Sequence, residues 1–370
     1  MRVAINCRSI MKQQRSGIGR YTHCLLDSLG QADNSNEYLL YAPKRVFDFK
    51  RQLPKFTFKN FNLRYDFFNL GPAMTLGSMD VYHLPCPDYI KSKPAKLVVT
   101  IHDLIYKTFP QSHTDETIAA TERQMKDIIQ LADHIICISN STRDDLHRFF
   151  DFPKAKSSVV YNGVSHDIFY PLNEEQHREA KDELGRLGIE GPYLLSVGTL
   201  EPRKNLKGIL KAMAQLKSKH GYAGQLVVVG MKGWMQGDID PLIKELGLEG
   251  AVKFLGFISD DQLRILYNGA DIFVFPSLYE GFGFPIVEAF ACGTPVITSN
   301  NSSCAELANG VALTVDPANI DAIAAGMATI LGDKRQAAQL AVKGITRAKD
   351  FSFTKTARET LTVYQALAGV

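Results

Sequence analysis

No stretch of this chain approaches the ~18 consecutive apolar residues of a membrane-crossing helix, so no such helix is expected. The start, Met1-Arg2-Val3-Ala4-Ile5-Asn6-Cys7-Arg8, lacks the long apolar core of a signal peptide and reads instead as a short strand. The expected location is therefore the cytoplasm, with the inner face of the membrane as the variant. Six cysteines (Cys7, Cys24, Cys86, Cys137, Cys292, Cys304) are scattered with no Cys-x-x-Cys pair, so neither a zinc site nor a disulfide framework is expected. An excess of one charge is also missing. The formal net charge of +3 gives no reason to expect a nucleic-acid partner. There is no repeat of fixed period and no low-complexity tract.

What is present is ordinary globular material. Hydrophobic residues make up 45% and charged residues 22%, and 370 residues is a natural length for two domains. Short β-branched runs alternate with longer amphipathic ones, the pattern of βαβ units and parallel sheets. One series of predicted strands comprises 2–6, 38–41, 81–84, 96–101, 134–138 and 158–161. A second comprises 193–197, 225–229, 252–255, 272–275, 295–298 and 312–315. Predicted helices between them include 21–29, 114–131, 206–219, 260–268 and 284–291. Two such series imply an α/β chain of two doubly wound domains, residues 1–172 and 173–350, with a cleft between them as the default ligand site. Residues 351–370 form a final amphipathic helix that can pack back on the first domain. The basic excess lies in the first domain, clustered from Lys44 to Arg64 among Phe47, Phe49, Phe56, Phe58 and Phe61. Such a run suits an anionic membrane surface; the simpler reading is a strand with a solvated basic face.

Chemistry-bearing motifs fall just after strands. Ser277-Leu278-Tyr279-Glu280-Gly281-Phe282-Gly283-Phe284-Pro285-Ile286-Val287-Glu288 follows one strand and opens a helix. Gly281 and Gly283 permit close approach of a ligand, the helix start can hold a diphosphate, and Glu280 and Glu288 can accept hydrogen bonds from sugar hydroxyls. Ser196-Val197-Gly198-Thr199-Leu200-Glu201-Pro202-Arg203-Lys204-Asn205 follows another strand and ends in a basic pair. In the first domain, Ser16-Gly17-Ile18-Gly19-Arg20-Tyr21 is not Gly-x-Gly-x-x-Gly, so the nicotinamide fingerprint fails. The strand 98–101 runs directly into His102 and Asp103; His83 also lies at a strand end, where acceptor contact competes with a buried structural role. Asp238-Ile239-Asp240 matches the Asp-x-Asp of metal-dependent transferases, but Asp at a helix start is a routine N-cap. No metal and no cofactor are expected.

Glu280-x7-Glu288 followed by Ala289-Phe290-Ala291-Cys292-Gly293-Thr294-Pro295-Val296 closely resembles the donor-site signature of family-4 retaining glycosyltransferases, and the similarity extends over essentially the whole chain. The resemblance implies the GT-B fold and a nucleoside diphosphate sugar as donor. It implies that Glu280 contacts the transferred sugar, Glu288 the ribose, and the backbone of Gly281, Phe282, Gly283 and Phe284 the sugar and phosphates. It further implies that Arg203 and Lys204 face the diphosphate, that Gly17, Gly19, His102 and Asp103 border the sugar pocket, and that the segment with Phe257 and Ile258 reads the base. Family members often carry Arg where this chain has Thr199, so Arg203 is open either as its substitute or as a bystander to Lys204. The expected reaction is hexose transfer with retention to a glycan or lipid-linked acceptor, with mannose from GDP-mannose first and UDP-glucose-type donors second. The alternatives are a nucleotide-sugar epimerase, a phosphorylase, or a binding scaffold without turnover.

Overall fold

Near-continuous apolar runs such as Leu97-Val98-Val99 and Ile135-Ile136 are buried on both faces, as parallel strands must be when helices cover both sides of a sheet. The computed structural model describes residues 1–11, 17–44, 52–90, 93–231 and 239–370. Its first sheet contains β1 (Arg2–Asn6), β2 (Glu37–Pro43), β3 (Phe61–Asp66), β4 (Val81–Leu84), β5 (Lys96–Ile101), β6 (His134–Cys137) and β7 (Ser157–Val159). All pairings are parallel, in the order β3-β2-β1-β4-β5-β6-β7. The second sheet contains β8 (Tyr193–Val197), β9 (Gln225–Val229), β10 (Val252–Gly256), β11 (Ile272–Phe275), β12 (Val296–Ser299) and β13 (Leu313–Val315). It is also wholly parallel, in the order β10-β9-β8-β11-β12-β13. Each is a doubly wound sheet whose strand order reverses beside its first strand.

The chain divides into two units, Met1–Gly163 with Ser352–Val370, and Val164–Phe351. The division falls earlier than residue 172, and hydrogen bonds explain why. Val164 N donates to Phe351 O, Leu172 N to Asn268 Oδ1, and Asn268 Nδ2 to Tyr170 O, so residues 164–172 are stitched into the second unit. The charged helix Glu174–Arg186 opens on an Asn173–Gln176 capping box and packs on the helix Asp260–Gly269 within that unit. The last helix, Phe353–Ala368, packs on Gly17–Ala32 in the first unit, and Thr356 Oγ1 donates to Tyr161 O.

The basic, aromatic run from Lys44 contains an additional edge strand, β3, on which Leu63 and Arg64 are exposed. Phe56, Phe58 and Phe61 pack on one another, Phe56 also meets His23, and Phe58 fills the space beside Gly30. Those three rings are consumed by packing. Phe47 and Phe49 lie outside the described residues. Among the described residues no helix is long and apolar enough to cross a membrane.

Candidate active site

In the second unit the strand order reverses between β8 and β11, which are neighbours. Loops leaving the carboxyl ends of such a strand pair form the ligand crevice of doubly wound sheets. Here those loops are 198–205 and 276–283. Their pairing brings together residues far apart in sequence: Lys204 Nζ donates to Glu280 Oε1 at 2.5 Å, and Arg203 Nη1 to Glu280 Oε2 at 2.8 Å. Arg203 Nε also donates to Glu201 Oε2 at 2.9 Å. Leu278 N donates to Arg203 O, joining the two loops backbone to backbone.

Glu280 is 5% exposed, and each of its carboxylate oxygens holds one cation and keeps a further lone pair. Burial pushes its pKa up, but the charges of Lys204 and Arg203 outweigh this and hold the carboxyl below its ordinary value. Burial also lowers the pKa of Lys204, against the opposing pull of Glu280. The Lys204 ammonium has three donors, spends one on Glu280, and sits 4.8 Å from the centre of the Phe275 ring. Its stem passes over Gly198, where a Cβ would lie 3.4 Å away. Arg203 joins the cluster through Glu201 and Glu280, a partnership that Thr199 cannot make in its place.

The loop 280–283 is held by hydroxyls at the start of the helix Ser302–Ala308, which follows β12. Ser303 Oγ donates to Glu280 O and Phe282 O, and Glu280 N donates to Ser302 Oγ. Gly283 has φ +107°, a conformation favouring glycine, and is the N-cap of the helix Phe284–Cys292. Gly283 supplies no side-chain cap, but Pro285 has no N–H and Ile286 N donates to Gly283 O, so the positive helix end faces a ligand with fewer than its usual amides. Gly281 is buried in the same loop. The Phe282 ring is buried against Phe284 and Phe351, so only its backbone can face a ligand. Glu288 is 3% exposed and its Oε2 accepts the Tyr267 hydroxyl at 3.0 Å. Phe257 and Ile258 follow β10; Phe257 is exposed and Ile258 half-buried. Asp238 lies outside the described residues. Asp240 is in the first turn of the helix Ile239–Glu245.

In the first unit, His102 follows β5. Its Nε2 lies 2.7 Å from Pro85 O, which can only accept, so Nε2 carries the proton. Burial lowers the ring's pKa, keeping it neutral with Nδ1 as the acceptor face. Tyr21 packs edge-on against it at 4.8 Å. Asp103 is exposed and its Oδ1 accepts Ile105 N, a local turn contact. Gly17 and Gly19 are not in a loop: they are in the first turn of the helix Gly17–Ala32, Gly17 exposed and Gly19 buried. His83 is fully buried, with Nδ1 2.6 Å from the Tyr364 hydroxyl and Nε2 2.8 Å from Thr100 Oγ1, and burial drives its pKa down to about 3. It is a structural histidine. Sequence reasoning missed Glu201, Tyr267, Tyr21 and the Ser302–Ser303 clamp. Only the last left a signal, a polar run at a strand end.

Two doubly wound units, one carrying cations and an acid at the carboxyl end of its sheet, define a glycosyltransferase of the GT-B type. Residues 179–347 match the family Glycosyl transferases group 1, and residues 15–168 match Glycosyltransferase Family 4. The chain belongs to this family and is an enzyme of the glycosyltransferase class. It is 31% identical over 287 residues to O-antigen chain mannosyltransferase B of Escherichia coli, covering 78% of this chain and 74% of the relative. Two solved structures share the fold. Sucrose-phosphate synthase from Thermosynechococcus elongatus has a TM-score of 0.80 at 22% identity and covers 100% of this chain and 99% of the other. Anabaena HepE in complex with UDP and glucose has a TM-score of 0.73 at 18% identity and covers 99% and 100%.

Proposed function

We propose that this protein transfers mannose from GDP-mannose to a hydroxyl of a growing polysaccharide or glycolipid, with retention of anomeric configuration. The observation that carries the reading is the Arg203–Lys204–Glu280 cluster beside the side-chain-free helix start at Gly283. The mannose assignment draws its support from the E. coli relative.

In this reading the donor diphosphate occupies the helix start, with Lys204 and Arg203 stabilising the charge that grows as the sugar departs. Glu280 orients both cations and offers its remaining lone pairs to sugar hydroxyls. Glu288, fixed by Tyr267, accepts from the ribose. The neutral His102 accepts a hydroxyl hydrogen bond at Nδ1. None of these groups serves as a carboxylate nucleophile. The acceptor attacks from the face the phosphate leaves, and that phosphate takes the acceptor proton. Positioning and fixed charges supply most of the rate. Metal is dispensable because cations and the helix start already meet the diphosphate.

The test is calorimetric titration with a panel of nucleotide sugars, followed by NMR of the product. GDP-mannose is expected to bind and yield an α-mannoside. Binding of UDP-sugars alone would move the donor assignment, and a β-linked product would end the retaining mechanism.

A further inference from the structure

Asn205 is where the chain leaves the cation pair and enters the helix Leu206–His220, and its backbone is left-handed, with φ +58°. Asn tolerates that conformation better than most residues, but glycine tolerates it best. At a helix N-cap Asn ordinarily turns its side-chain oxygen onto a first-turn amide. Here it makes no such bond. Its amide nitrogen donates instead to two carbonyls, Pro276 O at 3.1 Å and Pro317 O at 2.7 Å. Both amide hydrogens are thereby used, and the loops leaving β8, β11 and β13 meet at one side chain. Gly208, in the first turn of the helix, leaves room for that amide. A Cβ at 208 would stand 2.5 Å from Asn205 Oδ1 and 2.8 Å from its Cγ and Nδ2. Glycine is a poor helix former, and the space the amide needs accounts for it here.

What the amide holds in place is the backbone of Arg203 and Lys204. They belong to one short helical turn, Pro202–Lys204, closed by Asn205 N donating to Pro202 O at 3.0 Å. They are also like charges on consecutive residues, which repel each other. Glu280 draws the two side chains together, but their aim depends on the backbone beneath them. The Asn205–Pro276 and Leu278–Arg203 bonds fasten that backbone to the loop carrying Glu280, and the Pro317 bond fastens it to a third strand end.

We propose that Asn205, given room by Gly208, is a positioning residue of the transfer reaction: it sets the backbone from which Lys204 meets the leaving group, and so governs turnover through Lys204. This inference rests on the reading of Lys204 as the stabiliser of the leaving diphosphate and adds the device that aims it.

A double-mutant cycle on turnover tests it. Asn205→Gly keeps the left-handed backbone and removes the amide. A misplacement of about 1 Å costs about 100-fold in rate, so kcat should fall about 10–100-fold. The donor KM should change by less than about threefold, because the charge acts mainly in the transition state. In the Lys204→Met background the same substitution should change kcat by less than about threefold, since no ammonium is left to aim. Thermal unfolding adds an arm that needs no substrate. Gly208→Ala should lower Tm in the wild-type chain by crowding the amide, and should no longer do so in Asn205→Gly, where the three atoms nearest the added methyl are gone. If Asn205→Gly does not fold, Gly208→Ala takes its place in the cycle with Lys204→Met. Losses of kcat that multiply in the double variant, wild-type turnover in Asn205→Gly, or an equal Tm loss from Gly208→Ala in both backgrounds would overturn the positioning role. Wild-type turnover in Lys204→Met alone would instead overturn the leaving-group reading, and the proposal with it.

Discussion

Glu280→Gln is the sharpest probe of the charged cluster. Gln keeps the shape of Glu but replaces one acceptor oxygen with an NH2 donor. Both of its neighbours, Lys204 Nζ at 2.5 Å and Arg203 Nη1 at 2.8 Å, can only donate. One contact must therefore become donor against donor, and two half-buried cations are left with Glu201 as their one carboxylate partner in the cluster. Removing one partner from a buried ionic network costs about 3–5 kcal/mol. In a unit of this size each kcal/mol shifts Tm by about 2–4 °C, so the second unit should melt roughly 6–20 °C lower. Lys204→Met should cost less, because Glu280 keeps Arg203, about 1–3 kcal/mol. It should also cut turnover about 100–1000-fold if Lys204 stabilises the leaving group. In the double variant the buried charges partly cancel, giving a coupling of about 0.5–3 kcal/mol. The pH dependence has a definite sign. The folded carboxyl lies below its ordinary pKa, so its stabilisation is present above the ordinary carboxylate range and is lost as pH falls through the lowered value. Calorimetric unfolding of the four proteins at neutral and acid pH supplies every term. Additive losses within about 0.5 kcal/mol, or a Glu280→Gln Tm equal to wild type, would refute the ion-pair account.

Glu288→Gln should weaken nucleotide binding by roughly 1–3 kcal/mol, and calorimetry with GDP showing no change would remove Glu288 from the ribose role. Because burial holds His102 neutral below the ordinary histidine value of about 6.5, kcat/KM should stay flat through that pH. An acid limb near it that disappears in His102→Gln would contradict the acceptor role of Nδ1. Activity should survive EDTA; complete loss restored by manganese would revive Asp238 and Asp240 as ligands. Gly230→Ala should unfold the second unit at lower temperature or abolish soluble expression. Its φ is +149° and a Cβ would stand 1.9 Å from Gly198 O, so a thermal melt matching wild type would mean that this strand-end contact does not form.

The sequence by itself settled the architecture and pointed to the strand ends as the ligand side. Parallel strands covered on both sides must be runs of apolar residues, and their polar, Gly-rich ends mark the ligand side of each sheet, which is why 198–205, 276–288 and 102–103 could be picked out. It could not say that Arg203 and Lys204 would share Glu280, because those partners are 77 and 76 residues apart and meet only through the β8–β11 pairing that winding order imposes. Nor could it separate His83 from His102, each at the end of an apolar strand. Depth decided that: His83 is locked to Tyr364, 281 residues away on the last helix, while His102 is tied to a loop carbonyl and keeps an acceptor nitrogen. Gly17 and Gly19 read as a loop because glycine is a poor helix former, yet they open the helix Gly17–Ala32. Local composition thus fixed which segments become strands and where they stop. Which strand ends lie side by side, and so which charges meet, was a property of the folded sheet alone.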